Sequence, residues 1–160
     1  MGDWDNFFIA QIGASAALAG LVFVALSINL TKILSLPSLP TRALMAISML
    51  IAVLFQSSLF LVPGQSSTLL GWEVLGLALV MWVLTSILQR DVMRATDKKY
   101  KSAYISHIAL GQLAVAPFIV AGAVVALRGT PGVYWMPPGI LLSYFVAVSE
   151  AWVLLIEINR

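Results

Sequence analysis

Glu150 carries the most chemistry in this sequence, because it stands inside an apolar run, 139–158, with no basic residue beside it. Eight residues separate it from Ile158, which is about 12 Å of helix at 1.5 Å rise per residue. A carboxylate at that depth in hydrocarbon costs about 2.5 to 3.5 kcal/mol on insertion scales, so it must hold a partner, a proton or contact with water. Two chemistries suit it: an ion or proton site whose protonation responds to its surroundings, or an acid hydrogen-bonded between helices. Gln112 lies as far inside Tyr104 as Glu150 lies inside Ile158, and Ser48 lies seven residues inside Thr41. Their matched depth allows a polar layer of Glu150, Gln112 and Ser48 wherever the three helix faces meet. His107, the sole imidazole, sits near the same boundary, where a proton relay and simple hydrogen bonding are both open to it. Glu73 opens an apolar run beside Trp72; the helix macrodipole already favours an acid there, and a cation-attracting ring is the sharper alternative. These five residues are the candidates for an ion or proton path.

The elements that must position them are apolar throughout. Of the 160 residues, 61% are hydrophobic and only 10% charged, against about 25% charged in ordinary soluble domains. Five runs, about 7–30, 43–62, 71–89, 104–127 and 139–158, are each close to or above the roughly 20 residues that cross a bilayer core. The expected fold is all-α, a single polytopic membrane domain, 1–160, forming a bundle of five transmembrane helices. Pro63-Gly64 closes the second run, and Pro137-Pro138 can open the fifth, where a missing donor is harmless. Pro117, inside the fourth, removes a backbone donor and predicts a kink. The segment 90–103 reads as a basic cytoplasmic loop.

Orientation follows from the cations. With five spans, eight of the nine Lys and Arg residues fall on one side, and Arg128 alone falls on the other. The positive-inside bias then places the N-terminus out and the C-terminus in, in a plasma membrane or bacterial inner membrane. Trp4, Trp72 and Trp135 fall at the outer boundary, and Tyr100 and Tyr104 at the inner one, as interfacial aromatics do. The N-terminus is acidic and the first run is too long for a signal h-region, so that run is expected to remain as a span. Arg90, Arg94, Lys98, Lys99 and Lys101 are expected to contact anionic lipid.

Along the first run, Ala10, Gly13, Ala17, Gly20 and Ser27 recur at helical spacing and make one nearly flat face. Flat faces let helix backbones approach closely in lipid, where no hydrophobic force joins helices. The other spans are expected to pack around this helix, with a self-association seam as the alternative.

Intramembrane catalysis needs a nucleophile with a base, paired carboxylates or metal ligands. This chain has one His and no Cys, so no enzyme, cofactor or metal site is expected. Five spans of this length prompt comparison with the translocator protein family, but the stretch 32–40 lacks that family's aromatics and no membership is claimed. The expected function is a small membrane protein, a homo-oligomer, that conducts ions or small solutes. The alternative is a non-enzymatic accessory or regulatory subunit packing against a partner. The expected partners are the lipid bilayer and further copies of the chain, with a membrane-protein partner under the alternative reading, and no role for nucleic acid.

Overall fold

Apolar runs without internal turn signals become long helices. A computed structural model describes residues 2–36, 38–95 and 101–158, with side chains described for 4–36, 38–94 and 104–156. The order is α1 (Gly2–Ile28), α2 (Leu30–Ser35), α3 (Leu39–Leu59), α4 (Ser67–Ala95), α5 (Lys101–Arg128), a 3-10 turn (Thr130–Trp135) and α6 (Met136–Ile158). The architecture is all-helical, and five of the helices are long and apolar enough to cross a membrane.

Several boundaries differ from the sequence reading, each for a local reason. The Asn29 side chain donates to the carbonyl of Ala25 at 3.0 Å, ending α1 before the chain resumes as α2. Ile33 of α2 is buried with Leu39, Ala43 and Leu154, which gives this short helix its anchor. Residues 90–95 are helix rather than loop, because Leu88 and Val92, one turn apart and both buried, carry the inward face of α4 past the charged residues. α5 continues through Pro117 as one element.

Two larger apolar clusters hold the long helices. At one end Phe8, Phe60, Val74, Phe118, Val125 and Met136 are buried together. The rings of Phe8 and Phe60 stack with centroids 4.6 Å apart, and Trp4 meets Tyr134 edge-on at 5.1 Å. The start of α1, the 60–66 turn and the 3-10 turn therefore share one end of the bundle. In the middle Met49, Leu50, Met81, Ala114, Val115 and Ala147 form the second cluster.

Glycine sets the tightest contact. A Cβ on Gly122 would stand 2.5 Å from the backbone nitrogen of Leu75, and one on Gly71 would stand 2.1 Å from that of Ala126. α4 and α5 thus meet backbone to backbone. The small-residue helix α1 behaves in the opposite way. Only 11% of its apolar window is buried, against 33% to 56% in the other four long helices. Ala10, Gly13, Ala17, Gly20 and Ser27 are all exposed, and a Cβ at Gly13 or Gly20 would meet nothing within 4 Å. The expectation that the other spans wrap around this face is corrected: α1 leans on the bundle through Phe8, Ser15, Leu18 and Val22 and turns its flat face outward. Bulky Phe8 and Leu18 bury more apolar area than glycines do, so they win the inward positions.

Candidate functional site

A cation in the first turn of a helix sits at the wrong end of the macrodipole. Arg42 occupies that position in α3, and its Nη1 donates to Oε2 of Glu150 on α6 at 2.8 Å. Both side chains are largely withdrawn from the surface, at 13% and 2% exposure. The intramembrane-type acid therefore has a partner 108 positions away in sequence. α5 completes the cluster. The Arg42 guanidinium lies 5.1 Å from the centroid of the Tyr104 ring, within the range of a cation–π contact. The Tyr104 ring runs nearly parallel to the His107 imidazole at 6.1 Å, and His107 Nδ1 stands 4.0 Å from Glu150 Oε1.

One carboxylate oxygen is thus engaged by a permanent cation, while the other faces an imidazole that is too far for a hydrogen bond and near enough for charge attraction. His107 is 37% exposed, against 2% for Glu150. The arrangement links α3, α5 and α6 around one buried carboxylate, with the His107 imidazole at its rim. Among the described residues, Tyr104 Oη has no hydrogen-bond partner.

The polar layer of Glu150, Gln112 and Ser48 does not form. Gln112 Nε2 donates to Gln89 Oε1 at 2.6 Å and to Ser86 Oγ at 3.3 Å, and Gln89 Nε2 donates to the Ile108 carbonyl at 3.1 Å. Gly111 makes room for this network, since a Cβ there would stand 2.3 Å from Gln89 Nε2. Gln112 therefore faces α4, not α6. Ser48 is buried on α3, but the hydrogen bond to Glu150 comes from Arg42. Depth along a helix follows from rise per residue, whereas the direction a side chain faces depends on which neighbour packs there.

Glu73 is exposed and accepts a hydrogen bond from Gln65; α4 begins at Ser67, so Glu73 lies beyond the first turn and the helix-terminus reading is corrected. Gln56 is buried and donates to the Val74 carbonyl at 3.2 Å. Arg90 and Arg94 stand exposed on the last turns of α4. Lys98 and Lys99, and the side chain of Lys101, lie outside the described residues. Among the described residues, no group of three His, Cys, Asp or Glu side chains can hold a metal.

Sequence reasoning missed Arg42, Tyr104 and Gln89. Arg42 had a usable signal: a cation in the first turn of an apolar helix opposes the dipole and calls for an acid, and Glu150 is the acid farthest from any helix end. Gln89 had none, because its position at the end of an apolar run resembles an interfacial residue.

Comparison with protein-family models, curated proteins and solved structures finds no match for this chain. Fold and site together define the class: an all-helical bundle of five long apolar helices, two of them joined by a buried Arg–Glu pair with a His of a third at its edge.

Proposed function

We propose that the protein is a non-enzymatic integral membrane subunit that works by helix packing, with the flat face of α1 as its association surface and a second copy of the chain as the first occupant. One observation carries this reading: α1 is far less buried than the other four long helices, and its glycines face open space. A bilayer-spanning helix with small residues outward offers close backbone approach to another helix. The paired state of Glu150 supports it too, since a carboxylate held by Arg42 serves as a link between helices without any traffic of ions. The topology follows the charge bias, N-terminus out and C-terminus in, with Lys32, Arg42, Arg90 and Arg94 on the inner side. Trp72 and Trp135, both substantially exposed, then meet the outer interface. The membrane is a plasma membrane or bacterial inner membrane.

The chain has no cysteine, so single cysteines test the surface cleanly. Placed at Gly20 and oxidised in native membranes, a cysteine gives a disulfide-linked dimer; placed at Val80, exposed on α4, it gives none. Equal cross-linking at both positions refutes the surface, and a cross-link from Gly20 to a different membrane protein replaces the second copy with that partner.

A second reading, conduction of ions or small solutes by a homo-oligomer, rests on His107 standing 4.0 Å from Glu150. Proton and cation flux into liposomes tests it, comparing the wild type with Glu150→Gln at matched insertion. A flux that the substitution changes supports conduction; no flux under any gradient removes it.

A further inference from the structure

The amide network that turns Gln112 away from Glu150 borders a groove of about 470 Å³ between α4 and α5, at the Arg-bearing end of the bundle. The groove changes character along its length. Arg90 and Arg94 stand at its mouth, one helical turn apart and both exposed, so their guanidinium groups share a face. Deeper in, Trp82 and Ile108 supply apolar wall, and Trp82 is still 45% exposed. From Arg94 back to Trp82 is about 18 Å of helix, comparable with the roughly 15 Å of hydrocarbon in one leaflet.

The polar residues of the wall satisfy one another. Ser86 donates to the Trp82 carbonyl at 2.8 Å, and Gln89 and Gln112 are joined at 2.6 Å. The cations are not comparably engaged. The acid nearest Arg94 is Asp91, at 3.9 Å with both side chains exposed, a contact of little energetic weight. Arg90 forms no ion pair among the described residues. A groove with two exposed guanidinium forks at one end, only one of them loosely paired, and a Trp-lined apolar trough at the other complements the charge and polarity profile of an anionic amphiphile. Guanidinium is also the group best shaped to grip phosphate oxygens through paired hydrogen bonds.

We propose that this groove binds an anionic phospholipid, with Arg90 and Arg94 on the phosphate and an acyl chain laid along Trp82 and Ile108. A free phosphate would use the mouth and leave the trough empty. The site needs only that this end of the bundle meets a headgroup layer, and it stands or falls apart from the α1 association surface.

The test is lipid retention by the full chain in neutral detergent, read by native mass spectrometry. The probes are dioleoyl phosphatidylglycerol, dioleoyl phosphatidylcholine and the deacylated headgroup glycerophosphoglycerol. Phosphatidylglycerol is expected to be retained over phosphatidylcholine, and the paired substitution Arg90→Gln with Arg94→Gln is expected to weaken it by about thirty-fold. Lys32→Gln, an exposed cation at the same end outside the groove, is expected to leave retention unchanged. Trp82→Ala is expected to weaken the lipid and not the deacylated headgroup. Equal retention of the two lipids overturns the site. So does a Lys32→Gln loss equal to that of the paired variant, which would mean diffuse attraction, and so does headgroup binding as tight as the lipid's, which would mean a phosphate site alone.

Discussion

At the scale of single residues, the Arg42–Glu150 pair decides what the buried carboxylate does. Removing one partner leaves an uncompensated charge away from water, and breaking a buried pair in this way costs about 3 to 5 kcal/mol. Arg42→Gln or Glu150→Leu alone should therefore lower unfolding stability in detergent by about that much, as measured by chemical denaturation. The double substitution Arg42→Met with Glu150→Leu should recover most of the loss, because apolar groups of similar volume replace buried ion pairs at little cost. Losses that simply add would show that the two side chains do not depend on each other. Glu150 itself was legible as a residue that must have a partner, from its depth in an apolar run. Its partner was not, because Arg42 reads equally well as a topology determinant and only tertiary packing brings α3 and α6 together.

At the scale of helices, glycine does two different jobs that sequence spacing does not separate. Gly71 and Gly122 sit where α4 and α5 touch backbone to backbone, while Gly13 and Gly20 face outward from α1. Gly122→Leu should destabilise the bundle by about 1 to 3 kcal/mol, as overpacking of a tight contact does. Gly13→Ala should change the stability of the isolated protomer by less than about 0.5 kcal/mol, as surface substitutions do. Thermal unfolding of the two variants side by side checks both; an equal loss at Gly13 would mean that α1 is packed after all. The five long apolar helices were legible from hydropathy and length, while their ends shifted by a few residues, with a local cause at Asn29 and Val92. The flat face of α1 was legible as a face. Which way it turns was not, because Phe8 and Leu18 on the opposite side compete for burial and win.

At the scale of the whole molecule, the bundle has two distinct ends. Trp4, Phe60 and Tyr134 gather at one, and Arg42, Tyr104 and His107 gather at the other. The proposed topology predicts which faces each compartment. A single cysteine at Gln65 should react with a membrane-impermeant maleimide in intact cells, and one at Arg94 should react only after permeabilisation; the reverse pattern would invert the topology. The most direct test of the proposed function is the particle mass of the protein extracted into lipid nanodiscs, for the wild type and for Gly13→Leu with Gly20→Leu. An assembly of two or more copies that the substitutions reduce to protomers, with unfolding midpoints unchanged, is the predicted result. An assembly that keeps its mass despite two leucines on the α1 face would contradict it.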